Sequence, residues 1–351
     1  MYLSWGGYLP DLWYNHTGAM SIQLACLLAP QRSTQYANLV AHLALPELQI
    51  SPLGAWIEHA ELRHLGALPF LVITLREGLS FTLLDCLSQL AMTHGYFWLE
   101  EAISDRAGPW LRPLETPSRS ALPDVLLYTR RYKGKTNEEL TRFLINVARF
   151  VSDFVWASPP LDILDPLCGG GTTLFAALVA GHNAYGIDRA RGGVESTATF
   201  LHGFLNEAGI SHWVREERLR TLGRRWTFVI ESSQGRLTCA LAHGDTADAA
   251  ALFPGLRPHL IVGDLPYGIQ HKGTAIELLA RGLPVWTSIL RPGGGLCLAW
   301  DATRLPRSEM LATARKTTSD LELLDGPPWD TLGHAVDRVI KRREILAARR
   351  K

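Results

Sequence analysis

The fold class of this chain is set chiefly by residues 162–173, where an apolar strand runs directly into a glycine turn. The strand ends at Asp165, three glycines follow at 169–171, and a helix is predicted to begin at Thr172 or Thr173. Glycine lets the backbone approach a ligand without an intervening Cβ, and the first turn of a helix leaves N–H groups unpaired. The segment therefore predicts a ligand site at the carboxyl end of the first strand of an open α/β sheet.

Strands and helices alternate from this segment to the end of the chain. We predict strands at 161–165, 183–188, 226–231, 236–242, 259–263 and 295–300, helices at 172–180, 193–208 and 275–290, and a last element at 336–348. A helix capped by Asn137 and reaching residue 155 is predicted to precede them. Such alternation is typical of a mostly parallel sheet with helices on both faces.

The first 120 residues form a separate compositional unit in a chain of 351 residues, which is long enough for two domains. A strand is predicted at 69–75, a helix at 80–93 and a second strand at 96–99. Four prolines in 107–123 indicate a linker. We therefore predict a smaller α+β domain at 1–120, with a possible role in binding the substrate, and an α/β domain at 121–351.

Composition and charge narrow the class of protein. The net charge is +1, and residues 1–120 hold six Arg and no Lys against ten Asp plus Glu, so no strongly basic body signals nucleic acid. The five cysteines include no CxxC pair, which argues against a zinc site or a disulfide framework. With no run of 18 apolar residues and no signal-peptide pattern, a cytoplasmic protein without a membrane span or a metal is expected.

Two common nucleotide motifs do not fit the glycine turn. The dinucleotide pattern G-x-G-x-x-G fails because, read from Gly169, Leu174 stands where its third glycine belongs, and, read from Gly170, Thr172 stands where its second glycine belongs. The Walker pattern fails because no Gly-Lys-Ser/Thr follows. A turn with only a structural role is the alternative to a ligand site.

Residues 165–173, DPLCGGGTT, resemble motif I of the S-adenosylmethionine (SAM) methyltransferases, D-P-x-C-G-x-G-T. The shared Pro and Cys are found in the branch that methylates amines of nucleic acids. The resemblance implies SAM as the cofactor, leaving as S-adenosylhomocysteine, and a Rossmann-like class I methyltransferase fold with a mostly parallel seven-stranded sheet. It places at the cofactor Asp165, Pro166, Cys168, Gly169, Gly171 and Thr172.

Three further residues are candidate cofactor ligands. Asp188 ends the predicted second strand, where a carboxylate can accept hydrogen bonds from both ribose hydroxyls. Asp245 follows the strand at 236–242, and the resemblance implies a bond to the adenine amine. Thr136, in the basic segment with Lys133 and Lys135, is placed where related enzymes line the cofactor pocket. An Asp at a strand end can also simply cap a helix, and 132–139 can be an ordinary capped helix start.

A second motif points to the reaction. Residues 264–267, Asp-Leu-Pro-Tyr, follow an apolar strand and resemble the [D/N/S]-P-P-[Y/F/W] motif of amino-methyltransferases, with Leu265 in place of its first proline. An amine on a planar ring is a weak nucleophile because its lone pair is delocalised, so fixed acceptors for its N–H groups are needed. Asp264 can supply one acceptor and the carbonyl of Leu265 or Pro266 the other, while Tyr267 can stack on the target. A plain turn after a strand is the alternative.

Residues 125–348 as a whole resemble the RNA methylase family that includes the THUMP-associated tRNA guanine-N2 methyltransferases. The resemblance is carried by 165–173, by YGID at 185–188, by HGD at 243–245 and by DLPYG at 264–268. It implies a SAM-dependent N-methyltransferase that acts on an exocyclic amine of a nucleobase, foremost guanine N2 in tRNA or rRNA. DNA adenine-N6 or cytosine-N4 methylation, protein-glutamine or small-molecule methylation, and an inactive binding protein remain alternatives.

Two clusters of basic residues are also considered as possible RNA-binding surfaces. Five arginines at 215–225 lie beside Trp213 and Trp226, a combination that suits nucleic acid, although a solvated amphipathic face explains them equally. The basic residues at 341–343 and 349–351 are predicted to be solvated.

Overall fold

The computed structural model of the chain describes residues 22–30, 38–103, 105–117, 120–132, 134–266, 272–336 and 341–351. Their strands form two sheets, one of five and one of ten strands. The strands of the five-stranded sheet lie between residues 22 and 113, and the first strand of the ten-stranded sheet begins at residue 162.

The first sheet is antiparallel throughout, in the order β2-β3-β1-β4-β5. Its strands are β1 (Ile22–Leu28), β2 (Ile57–Leu65), β3 (Leu68–Leu75), β4 (Thr93–Ile103) and β5 (Arg106–Pro113), and its helices are α1 (Leu39–Ile50) and α2 (Phe81–Ser88). The strands predicted at 69–75 and 96–99 are thus present as parts of β3 and β4. The helix predicted at 80–93 starts correctly after Ser80, whose side chain accepts a hydrogen bond from the Leu83 amide, but ends at Ser88.

The linker predicted at 107–123 is wrong over its first half, which is strand β5. Proline lacks the N–H that a central strand needs, and for that reason the prolines indicated a linker. Among the described residues β5 lies at the edge of the sheet and pairs with β4 alone, so Pro109 and Pro113 remove no bond on its outer side.

The second sheet follows the predicted alternation. Its elements in chain order are α3 (Val125–Thr129), α4 (Glu138–Val151), β6 (Asp162–Asp165), α5 (Thr172–Val179), β7 (Asn183–Asp188), α6 (Arg191–Glu207), β8 (His212–Arg218), β9 (Arg224–Ser232), β10 (Gly235–His243), α7 (Ala249–Leu252), β11 (Leu260–Asp264), α8 (Lys272–Ile289), β12 (Gly295–Asp301), α9 (Arg307–Thr317), β13 (Leu321–Leu324), β14 (His334–Ala335) and β15 (Arg342–Arg350).

The strand order defines the class of fold. The sheet runs β13-β15-β12-β11-β6-β7-β10-β9-β8, with β14 paired beside β15. The five strands from β10 to β12 are parallel, while β15 is antiparallel to both β12 and β13. The seven strands from β13 to β10 are the predicted mostly parallel sheet, and this confirms the Rossmann-like class I methyltransferase fold. Within the described part of the chain the sheet has ten strands, because β8, β9 and β14 add to these seven.

Helices cover both faces of this sheet, as predicted. Successive residues of one strand point to opposite faces. Ile163 of β6 accordingly belongs to the apolar cluster that includes buried residues of α4, α5 and α6, whereas Leu164 belongs to the cluster that includes buried residues of α7, α8 and α9. Parallel strands buried on both sides consist almost wholly of apolar residues. Every residue of β12 is buried accordingly.

The basic group at 215–225 lies largely in the hairpin formed by β8 and β9. Arg225 forms an ion pair with Glu217, and Arg224 forms one with Glu216, so their charges are partly neutralised. Trp226 is buried, and only Trp213 is exposed. The structure therefore favours the solvated amphipathic face over a basic surface with free arginines.

Candidate functional site

A cleft of about 780 Å³ opens where β6, β7 and β11 end at the same edge of the sheet. Parallel strands bring their carboxyl ends together, and ligands of open α/β sheets bind there. The cleft is lined by ten of the thirteen predicted site residues: Thr136, Asp165, Pro166, Cys168, Gly169, Thr172, Asp188, Asp264, Leu265 and Pro266. Gly171 and Asp245 lie beside the cleft without lining it, and Tyr267 lies outside the described residues.

The glycine turn is shaped by backbone geometry and by one aromatic ring. Gly171 precedes α5 with φ of +86°, a left-handed conformation that favours glycine. A Cβ on Gly170 would lie 2.2 Å from Cζ of Tyr132, so only glycine fits beneath that ring. The Tyr132 hydroxyl lies 2.6 Å from Oγ1 of Thr172. Tyr132 thus holds the turn against the start of α5, a contact that the sequence analysis missed.

Arg130 fixes the same turn from its other side. Its Nη1 donates to the carbonyl oxygen of Gly170 at 2.6 Å and to the hydroxyl of Thr197, and Nη2 donates to Ser196 Oγ at 3.1 Å. The guanidinium carbon lies 5.3 Å from the centre of the Tyr132 ring, which allows a cation–π contact. Arg130, which stands two residues before the segment 132–139, therefore positions the glycine turn.

Lys135 lines the cleft and also anchors the segment before α4. Its ammonium donates to the carbonyl oxygens of Leu127 and Arg130 at 3.0 and 2.9 Å and forms an ion pair with Glu138. These partners occupy its three N–H donors. The alternative of an ordinary capped helix start is supported further by Asn137, which accepts a hydrogen bond from the Leu140 amide.

Asp188, at the end of β7, connects this strand to the glycine turn by a hydrogen bond. Its Oδ2 accepts a hydrogen bond from the amide of Gly169 at 2.9 Å, and its Oδ1 accepts one from the amide of Ala190 at 2.7 Å. A carboxylate has about four acceptor sites. Asp188, which also lines the cleft, can therefore keep these bonds and still accept from a ligand hydroxyl.

Asp165 is a buried carboxyl group on the floor of the cleft. Burial raises its pKa to about 7. Hydrogen bonds donated by the Thr173 side chain and by the Leu167 amide, which lies 2.9 Å from Oδ1, act in the opposite direction and lower the pKa. The nearby carboxyl groups of Asp264 and Asp188 raise this pKa further. Burial likewise raises the pKa of the Cys168 thiol, so that Cys168 lines the site as a neutral, weakly polar side chain.

Asp245 fits the capping alternative. Its Oδ1 accepts a hydrogen bond from the amide of Ala247 at 3.0 Å, and its Oδ2 accepts one from Nη2 of Arg281 at 2.9 Å. Its neighbours Gly244 and Thr246 line the cleft, whereas Asp245 does not. Its predicted bond to an adenine amine stays a prediction.

The carboxylate of Asp264 has two different oxygens. Oδ2 accepts hydrogen bonds from Oγ1 of Thr136 at 2.9 Å and from Nη2 of Arg343 at 3.2 Å. Oδ1 is buried and has no hydrogen-bond partner within the described residues. Burial raises the pKa of this carboxyl, while Arg343 and Thr136 lower it. A buried acceptor without a donor is costly, and in a cleft it marks the place where a ligand donor belongs.

The structure explains the departure from the amino-methyltransferase motif at Leu265. The Leu265 amide donates to the carbonyl oxygen of Ala299 at 2.8 Å, a bond that proline cannot make. Its side chain is buried against the α8 side of the sheet. Leu265 thereby extends the pairing of β11 with β12, while Pro266 stands at the exposed rim.

Arg343 is the cleft residue that the sequence analysis assigned wrongly. It was predicted to be solvated as part of a basic tail, but it is 2% exposed and lines the cleft. Its strand β15 lies between β12 and β13, and its side chain donates to Asp264 inside the molecule. Arg349, another of the predicted tail cations, is also paired and contacts Asp153 and Glu322.

Neither a metal site nor a membrane span is found in the described residues. In those ranges no group of three or more His, Cys, Asp or Glu residues is placed to hold a metal ion. No helix among the same residues has the length and apolarity required to cross a bilayer.

No protein-family model matches the sequence of this chain, and no curated protein matches it. Its structure is similar to that of TrmN from Thermus thermophilus, with TM-score 0.41 and 15% identity over 83% of this chain and 59% of TrmN. It is also similar to the 16S rRNA N2 G1207 methyltransferase RsmC of T. thermophilus in complex with AdoMet and guanosine, with TM-score 0.37 and 12% identity over 90% of this chain and 63% of RsmC.

A third similar structure is the magnesium protoporphyrin IX methyltransferase ChlM from Synechocystis with bound SAM, with TM-score 0.37 and 14% identity over 64% of this chain and 90% of ChlM. The names of RsmC and ChlM point to different substrates. The fold assignment rests on the strand order of the ten-stranded sheet.

Proposed function

We propose that the protein is a SAM-dependent N-methyltransferase that acts on an exocyclic amine of a nucleobase. The observation that carries the proposal is the carboxyl group of Asp264, which lines the same cleft as the glycine turn and whose Oδ1 is a buried acceptor without a donor among the described residues. A site that needs one N–H donor from its ligand suits an amine as substrate.

The residues of the cleft fit the proposed cofactor. Asp188 has acceptor capacity for the ribose hydroxyls, and the left-handed Gly169 has open space where a Cβ would stand, so the backbone there can lie against a ligand. The carboxyl groups of Asp165 and Asp188 suit a ligand with positive charge. When bound, SAM supplies an electrophilic methyl group, so that the amine nitrogen forms a C–N bond while the C–S bond breaks and its electron pair stays on sulfur.

The protein's own part in the reaction is to orient the amine. Oδ1 of Asp264 accepts one N–H of the amine, and the carbonyl of Leu265 or Pro266 accepts the other. This arrangement keeps the nitrogen lone pair directed at the methyl group and lowers its delocalisation into the ring. Fixed acceptors of this kind need no reorganisation during the reaction, and the extra proton of the product leaves to solvent.

The substrate we propose is guanine N2 in tRNA or rRNA. The support is the sequence resemblance of 165–173, 185–188, 243–245 and 264–268 to the RNA methylases, together with the acceptor at Asp264. In this proposal residues 1–120 act as the domain that binds the RNA and residues 121–351 as the methyltransferase domain. The reduced state of the five cysteines agrees with the cytoplasmic location that we propose.

Transfer of a labelled methyl group from SAM tests this function. Separate acceptors are total tRNA, rRNA, DNA and protein from a cell that lacks the enzyme. The proposal expects label in tRNA or rRNA that digests to N2-methylguanosine. Label confined to DNA or protein would overturn the substrate, and absence of label from all four pools would overturn nucleobase methylation.

A further inference from the structure

We infer that Arg343 is a positioning residue for Asp264. Together with Thr136 it donates to Oδ2 of Asp264, so that Oδ1 alone remains to accept from the target amine. This inference rests on the proposed function. It assigns a role to a residue outside both sequence motifs.

The two donors to Oδ2 of Asp264 come from different elements. Thr136 belongs to the segment before α4, and Arg343 belongs to β15. Two donors on one oxygen fix the rotation of the carboxylate about its Cβ–Cγ bond. The other oxygen is then held in a single position, which is the requirement for an acceptor that must meet a small N–H group.

Arg343 also controls the charge of Asp264. The Asp264 side chain is only 15% exposed, and the buried carboxyl of Asp165 and the buried thiol of Cys297 lie near it, since Asp264 raises the pKa of both. Burial favours the protonated form of a carboxyl group. A protonated carboxyl has an O–H that donates a hydrogen bond, whereas the proposed reaction requires an acceptor for the N–H of the amine. The charge of Arg343 lowers the pKa of Asp264. It therefore opposes the effect of burial and favours the ionised form of Asp264, which accepts hydrogen bonds.

Arg343 is itself firmly anchored in the sheet. Its backbone is paired with Asp301 of β12 on one side and with His334 of β14 on the other. Burial and the charge of Arg343 lower the pKa of His334 to about 3, so this neighbour stays neutral and does not compete for Asp264. The segment before His334 is attached to α1, because the ring of His42 is hydrogen-bonded at 2.8 Å to the carbonyl oxygen of Gly333.

The test compares Arg343→Met, Arg343→Lys and Thr136→Val with the wild type. Arg349→Met is the matched control, because Arg349 lies on the same strand but pairs with Asp153 and Glu322 away from the cleft. For each protein kcat and KM for the RNA acceptor are measured against pH. The affinity for SAM is measured by calorimetry, and the Asp264 carboxyl is titrated by ¹³C NMR without cofactor.

We expect Arg343→Met to lower kcat at pH 7 by about 10²-fold, the size of effect that a misplaced reacting group produces. KM and the affinity for SAM change little. The acid limb of the kcat profile and the NMR titration of Asp264 both move to higher pH. Arg343→Lys restores part of kcat, Thr136→Val moves the profile in the same direction by less, and Arg349→Met leaves it unchanged.

Two results would overturn the inference. The first is a kcat profile whose acid limb does not move in folded Arg343→Met and Thr136→Val. The second is an NMR titration of Asp264 that is the same in the wild type and in Arg343→Met. If Arg343→Met does not fold, Arg343→Lys and Thr136→Val decide by the same readouts. Failure of the wild type to methylate any acceptor would refute the proposed function instead, and the NMR titration would still decide the role of Arg343.

Discussion

The side-chain amide of Asn146 lies 2.8 Å from Oε1 of Glu47 and thereby joins helix α4 of the large sheet to helix α1 of the small one. Glu47 is fully buried, and its two oxygens also accept hydrogen bonds from the amides of Ala91 and Met92. The apolar core is continuous across this junction, since the buried residues of both helices belong to one cluster. The division at residue 120 stays a prediction, but the two sheets share a packed interface.

Asn146→Asp should destabilise the whole protein. The new carboxylate would face Glu47 in a buried place, where two like charges cannot both be ionised without a large cost. We expect a loss of about 3–5 kcal/mol in the free energy of unfolding, of the size seen when a buried charged network is disrupted. Urea unfolding followed by circular dichroism measures it, with Asn206→Asp on the surface-facing end of α6 as control. A loss of less than about 1 kcal/mol, below the cost of an ordinary buried polar defect, would contradict the importance of this interface.

Gly170→Ala should weaken cofactor binding. The added Cβ would stand 2.2 Å from the Tyr132 ring, so either the ring or the glycine turn must move. We expect the Kd for SAM to rise by about tenfold, equivalent to about 1.4 kcal/mol. Gly203→Ala is the control, because nothing lies within 4 Å of a Cβ at that position in α6 and alanine favours a helix. Unchanged affinity in Gly170→Ala would show that the turn does not contact the cofactor.

Asp165→Asn should stabilise the protein at high pH. The pKa of Asp165 is about 7 in the folded protein, above its ordinary value of 3.8. The folded state therefore holds a proton that the unfolded state has lost, and this contribution, fully present below about pH 4, is lost as the pH rises through about 7. Asparagine resembles the protonated acid and does not titrate, so the variant does not lose this contribution to stability as the pH rises.

Thermal unfolding of wild type and Asp165→Asn between about pH 4 and pH 9 checks this sign. We expect the variant to have the higher Tm at about pH 8, by roughly 2–4 °C for each kcal/mol of linkage. The difference should shrink as the pH falls to about 4. A variant that is less stable than the wild type at the alkaline end would mean that Asp165 is held ionised in the folded protein.

Leu265→Pro tests the reason for leucine at the first proline position of the motif. The substitution would restore the proline of the amino-methyltransferase pattern but remove the amide that donates to Ala299. We expect a loss of about 1–3 kcal/mol in stability, the cost of leaving a buried carbonyl without its donor. Leu265→Met keeps the amide and the volume and should cost less than about 1.5 kcal/mol. Equal stability of the proline and methionine variants, measured by urea unfolding, would show that this hydrogen bond is unimportant.

The alternation of apolar strands and helices allowed most of the large domain to be predicted. The second strand was predicted at 183–188 and is found as Asn183–Asp188, because a short apolar run between two glycine-containing turns leaves little choice of boundary. The strand β8 was missed, since it is half-exposed at the end of the sheet and rich in charged residues. Its pairing with β9 is tertiary information that a local pattern does not contain.

The site was predictable where its residues follow strands of the parallel sheet. Asp165, Asp188 and Asp264 each end such a strand, and the topology brings them to one cleft. Arg343 could not be found in this way. It stands in a run of basic residues that is typical of a solvated tail, and only the insertion of β15 between β12 and β13 buries it.

The most direct test of the proposed amine acceptor is single-turnover methyl transfer from labelled SAM to RNA by wild type and Asp264→Asn. The SAM affinity of both proteins is measured by calorimetry. Asparagine keeps the size of the side chain but presents a neutral amide, and removal of a fixed electrostatic partner in an active site lowers the rate by about 10²–10³-fold. We predict a loss of that size with the affinity for SAM retained. Transfer by Asp264→Asn at the wild-type rate would contradict the central claim that Asp264 orients the amine.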